Sequence, residues 1–62
     1  MYKILYTRFS GGQRLVSVFD FKGERTIEFS LDELEKDELS AELKQYINGI
    51  RKGIDSGYFD YS

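Results

Sequence analysis

Arg25-Thr26-Ile27-Glu28-Phe29-Ser30-Leu31-Asp32-Glu33 is the stretch on which the fold turns. Ile27, Phe29 and Leu31 alternate with Thr26, Glu28 and Ser30, the period of two expected of a half-buried strand. The pattern then changes. Ser30 followed three residues later by Glu33 matches a capping box: the serine hydroxyl accepts the Glu33 backbone N–H, and the glutamate reaches back to the N–H of Ser30. Asp32, Glu33 and Glu35 fall where the positive end of a helix dipole favours carboxylates. A strand therefore passes directly into helix here, with strands before this point and helices after it.

Upstream, Tyr2 to Ser10 and Arg14 to Phe21 are rich in aromatic and branched residues. Gly11-Gly12 between them is a two-residue hairpin signal, because both positions tolerate positive φ. Lys22-Gly23-Glu24 is a second tight-turn candidate. Three strands joined by two short turns make an antiparallel meander. In the first run Tyr2, Ile4 and Tyr6 are expected on one face, with Leu5 and Phe9 on the other. In the second, Leu15, Phe19 and Phe21 oppose Val16 and Val18. Both faces of this hairpin are apolar, and one helix covers only one of them. The other face needs the C-terminal tail, a second subunit or a ligand.

Downstream, a short helix near 31–36 precedes a longer one at about 38–53, with Asp37 placed to cap it. Leu39, Leu43, Tyr46, Ile47, Ile50 and Ile54 recur as one apolar stripe. Arg51 and Lys52 suit the last turn, and Gly53 is the expected C-cap. Gly49 inside the helix costs about 1 kcal/mol relative to Ala, which points to a close backbone approach there. In the tail, Gly57 marks a turn before Tyr58, Phe59 and Tyr61. Residues 57–61 can form a short fourth strand or pack on a surface. The expected architecture is thus α+β in a single βββα domain spanning residues 1–62: a three-stranded antiparallel meander (about 2–10, 14–22 and 25–31) packed by a C-terminal helix.

Composition limits the chemistry. Sixty-two residues bury little surface, and small domains of this size usually add disulfides, a metal or a partner subunit. The chain has no Cys and no His, which removes disulfides, zinc sites of ordinary ligand type, the commonest general base and the most reactive nucleophile. No cofactor, no metal and no enzymatic activity are expected, and a homodimer is the staple that remains. No apolar run has the length of a membrane span or signal-peptide core, so a cytoplasmic location is expected. Net charge is −2. Residues 1–31 carry five basic and three acidic side chains (+2), and residues 32–62 four basic and eight acidic (−4). That balance lacks the basic excess of a phosphate-backbone binder.

The residues point to three binding functions. The first is a non-catalytic protein-interaction module, homodimeric, acting as a stoichiometric regulator or inhibitor of a larger protein, of the profile common among small bacterial and phage regulators. Its contact residues are expected among Tyr2, Tyr6, Val16, Val18, Glu33, Asp37, Glu38, Tyr58, Phe59 and Tyr61, since aromatic side chains are favoured at contact surfaces. The second is a single-stranded nucleic-acid sheet using Tyr6, Phe9 and Phe19 with Arg8 and Arg14. The run VSVFDFKG, Val16 to Gly23, resembles the aromatic strands of cold-shock and other OB-type domains over one strand. The third is an acidic mimic of nucleic acid using the 32–42 face. Solvated helix faces, helix capping and core packing account for the same residues without any partner.

Overall fold

A computed structural model of the chain describes residues 1–36 and 39–60. The elements run β1 (Tyr2–Ser10), β2 (Gln13–Asp20), β3 (Arg25–Ser30), α1 (Leu31–Glu35), α2 (Ala41–Gly49) and α3 (Arg51–Ser56). The strands form one antiparallel sheet in the order β1-β2-β3. This α+β meander is the expected one. It is an open three-stranded sheet, unlike the partly open five-stranded barrel of OB-type domains.

The β1–β2 hairpin closes on Gly11 (φ 59°) and Gly12 (φ 79°), the two positive φ values that match the twist of the strands they join. β2 ends at Asp20, two residues short of the expected 22. The Asp20 carboxylate accepts the backbone N–H of Lys22 at 3.0 Å, a side-chain-closed turn that draws the chain out of the ladder. Phe21 stays beside β1, its N–H donating to the Met1 carbonyl at 3.1 Å.

β1 departs from simple alternation. Ile4 pairs with Val18 and Tyr6 with Ser17, so Leu5 is an extra residue and the register shifts at a β-bulge. The bulge exchanges the faces of the residues beyond it. Thr7 pairs with Val16 and Phe9 with Arg14, on the same side as Tyr2 and Ile4, while Tyr6 and Arg8 turn to the other side. The expected grouping of Tyr6 with Tyr2 and Ile4 is therefore corrected.

The switch from strand to helix is as expected. The Ser30 hydroxyl accepts the Glu33 N–H at 3.4 Å, and the Glu33 carboxylate accepts the Ser30 N–H at 3.1 Å. The expected helix at 38–53 is two helices. Ser40 caps α2, its Oγ accepting the Leu43 N–H at 3.2 Å; Asp37 and Glu38 lie outside the described residues. α2 ends at Gly49, a weak helix former, and the chain passes through Ile50 (φ −117°, ψ 12°) into α3. The C-terminal stop is at Gly57 (φ 83°), not Gly53. The Gly57 N–H donates to Ile54 and the Tyr58 N–H to Gly53, at 3.2 and 2.9 Å, the paired closure of a Schellman motif. The close approach expected at Gly49 is also elsewhere: a Cβ at Gly49 would meet nothing within 4 Å, whereas one at Gly53 would lie 2.5 Å from the Phe59 ring.

The helices cover one side of the sheet. Val16, Val18 and Phe29 from the strands pack with Leu34, Leu43, Ile47 and Ile54, all buried. Leu39, Tyr46 and Ile50 complete the expected stripe, half-buried against this core. Tyr46 also reaches the open edge of β1, where its hydroxyl accepts the Ile4 N–H at 2.8 Å. Because so few side chains make the core, each matters. Ile47→Ala should lower the unfolding free energy by about 2–5 kcal/mol, as read by urea denaturation, enough to leave a chain of this size largely unfolded.

Candidate interaction surface

The side of the sheet away from the helices is built in three rows. Direct cross-strand partners share a face, so the register places Lys3, Phe19 and Thr26 in one row and Tyr6, Ser17 and Glu28 in the next. Arg8 and Leu15 form the third, ending at Ser30. Leu5 at the bulge and Phe21 beyond the strand end are each about half exposed (47% and 48%). Phe21 sits edge-on to Phe19, ring centroids 5.0 Å apart. Ser17 is the small residue at the centre, and its size lets long side chains from the two outer strands meet above it. Arg8 Nη2 lies 3.3 Å from Glu28 Oε1, and the Ser17 hydroxyl donates to Glu28 Oε2 at 3.2 Å. This surface presents aromatic and aliphatic side chains around one partly exposed ion pair, and none of the described helices lies over it.

The tail as far as Asp60 does not cover that side. It docks on the edge of β1, toward the helices. Thr7, turned inward by the bulge and fully buried, donates its N–H to the Phe59 carbonyl at 2.9 Å and its hydroxyl to the Asp60 carboxylate. Arg14 Nη1 donates to Asp60 at 2.7 Å and to the Ile54 carbonyl at 2.6 Å. The Phe59 ring lies against Gly53, where there is no side chain to exclude it. Among the described residues, the expected fourth strand over 57–61 is thus a single parallel bridge between Thr7 and Asp60, held by the Thr7–Phe59 backbone bond and by side chains; Tyr61 lies outside the described residues.

The expected contact residues are scattered. Val16 and Val18 have no exposed surface, so they are core and not contact residues. Tyr2 is half-buried on the helix side, its ring 6.1 Å from that of Tyr46. It lines a groove of about 510 Å³ beside the β3 edge, shared with Asp20, Arg25, Ile27 and Leu43. Glu33 is engaged in its capping box. Phe59 is tucked into the tail clasp, while Tyr58 is 81% exposed beside it. Of the ten, Tyr6 stands on the open side of the sheet. The expected stacking platform divides likewise: Tyr6, Phe19 and Arg8 share the open face, but Phe9 and Arg14 stand on the helix side, where the guanidinium lies 4.5 Å from the Phe9 ring centre. Leu5, Leu15 and Phe21 belong to the open face and are absent from the ten expected contacts; Leu15, Phe19 and Phe21 share it by the alternation of β2, but which residues of β1 join them depends on the bulge, which carries no glycine or other marker in the sequence. Glu42 of the acidic face is exposed on α2. Among the described residues, no three of the acidic side chains gather as a metal site, and no helix is long and apolar enough to cross a membrane.

The chain matches no protein-family model, no curated protein and no solved structure.

The clasp carries its own test. Removing the Asp60 carboxylate leaves the buried Thr7 hydroxyl without its acceptor and the largely buried Arg14 guanidinium without its counter-charge, with only the Ile54 carbonyl left to it. Asp60→Ala should therefore destabilise the chain by about 1–3 kcal/mol. Arg14→Ala and Asp60→Ala together should cost less than the sum of the two, as measured by a double-mutant cycle in urea.

Proposed function

We propose that the chain is a non-catalytic protein-interaction module that meets its partner through the open face of the sheet. The supporting observation is the group of Leu5, Tyr6, Leu15, Phe19 and Phe21 on a sheet face over which no helix lies. Exposed apolar surface rimmed by charge is the common mark of a protein contact. The composition suits one in particular: aromatic and aliphatic side chains lie near the centre, with Arg8 and Glu28 bridging across, and aromatic residues and arginine are the types enriched in interface hot spots. Met1, Phe9 and Tyr58 are exposed elsewhere on the chain, but Leu5, Tyr6, Leu15, Phe19 and Phe21 are the apolar group that the register gathers on one face.

The experiment combines self-association with affinity capture from lysate, using the wild-type chain, Phe19→Lys on the open face, and Lys52→Ala on the exposed side of α3. Protein binding, to itself or to another chain, should be lost in Phe19→Lys and kept in Lys52→Ala. A wild-type chain that neither self-associates nor retains any protein, or binding that survives Phe19→Lys, would contradict the proposal.

A further inference from the structure

We infer that the occupant of the open face is a second copy of this chain, docked sheet to sheet with the strands of both copies running in the same direction. This rests on the open face being a protein contact, and it names the partner.

The charges on the face are laid out so that it complements itself. β1 contributes the cations Lys3 and Arg8, and β3 the acid Glu28, with the apolar and small residues of β2 between them. With their strands aligned, two identical three-stranded sheets can stack about a two-fold axis in two ways. With the axis across the strands, each β1 lies over the partner's β1. Lys3 then meets the partner's Arg8 and Glu28 meets the partner's Glu28, like charge on like, which is destabilising at close range. With the axis along the strands, β1 of each copy lies over β3 of the other. Glu28 of one copy then comes above the Tyr6 row of the other, between its Lys3 and Arg8. The same axis stacks Phe19 on the partner's Phe19 and Leu15 on the partner's Leu15, with the small Ser17 at the centre. Both arrangements are aligned sheet packings of the β-sandwich kind, with the sheets about 10 Å apart and strand lines within about 30°, so the charges, not the packing class, favour the second.

The size of the face sets the strength of the contact. Strands about 4.8 Å apart, with three rows of side chains along strands that rise about 3.3 Å per residue, give a footprint of roughly 14 by 20 Å. That is smaller than the roughly 800 Å² per partner of a standard stable interface. The dimer is therefore weak and reversible, closing as concentration rises. Among the described side chains, the acids Asp32, Glu33, Glu42, Asp55 and Asp60 belong to α1, α2, α3 and the tail, elements on the far side of the sheet.

Sedimentation equilibrium of the full chain from about 10 µM to about 1 mM is the test. The wild-type chain should pass from monomer toward dimer. Phe19→Lys should raise the dissociation constant by about 30- to 100-fold. Phe21→Lys, at a more exposed position, serves as the second variant if Phe19→Lys is not folded by circular dichroism. The chain has no native cysteine, so a Leu15→Cys chain reports the direction of stacking: on oxidation it should form a disulfide-linked dimer with the axis along the strands and none with the axis across them. A monomer throughout the range, a dimer indifferent to both lysine variants, or a dimer in which Leu15→Cys does not cross-link would overturn the inference. A monomer whose capture of a different protein is lost in Phe19→Lys would overturn it while leaving the open face a protein contact. A rise in anisotropy of labelled oligothymidylate at low salt, abolished by Phe19→Lys, would assign the face to nucleic acid and overturn both.

Discussion

The bulge at Leu5 governs which side chains of β1 meet the helices and which are left outside. A strand alternates strictly, so one inserted residue reverses the facing of everything after it. Before the bulge Tyr2 and Ile4 face α2. After it Thr7 and Phe9 take the helix side, Thr7 against the tail and Phe9 beside Arg14, and Tyr6 and Arg8 turn outward. Without the extra residue Thr7 would face away from the tail and could not bond Asp60. Arg8 would likewise sit on the helix side, out of reach of Glu28. The clasp and the open face thus share one cause.

A small chain has a limited supply of covering elements, and this one places them on a single side. α2 and α3 press Leu43, Ile47 and Ile54 onto Val16, Val18 and Phe29. The edge of β1, which would otherwise offer unpaired N–H groups to any passing strand, is closed twice from within. The Tyr46 hydroxyl takes the N–H of Ile4, and the Phe59 carbonyl takes that of Thr7. Among the described residues no buried side-chain polar atom lacks a hydrogen-bond partner. The interior is therefore complete on the helix side, and the apolar side chains of the opposite face contribute to stability only if something comes to cover them.

The charge asymmetry along the chain is not the asymmetry in space. The basic N-terminal half suggests a basic sheet, yet three of its five cations are drawn into pairs: Arg8 with Glu28, Arg14 with Asp60 and Arg25 with Asp20, the last at 3.8 Å. Two of those pairs lie on the helix side, so the open face carries a near-balanced set of charges. Such a face suits a protein surface, its own included, better than a run of phosphates, which needs several cations placed together.

Much of the fold was legible from local pattern. The three strands, the glycine hairpin, the Ser30–Glu33 capping box and the apolar helical stripe each depend on neighbours in sequence, so alternation, turn chemistry and helical spacing were enough to place them. The excess of apolar side chains on the hairpin, more than one helical layer can bury, was legible for the same reason. The tertiary structure alone decided the facing of β1 beyond Leu5, the break between α2 and α3 at Ile50, and the use of Gly53 as a seat for Phe59. It also placed the tail on the β1 edge instead of over the sheet. These rest on contacts between residues far apart in the chain, such as Thr7 with Asp60 and Arg14 with Ile54, whose geometry no local periodicity encodes. The two apolar faces were therefore visible in the sequence, but which side chains of β1 join the uncovered one was settled by a single extra residue in that strand.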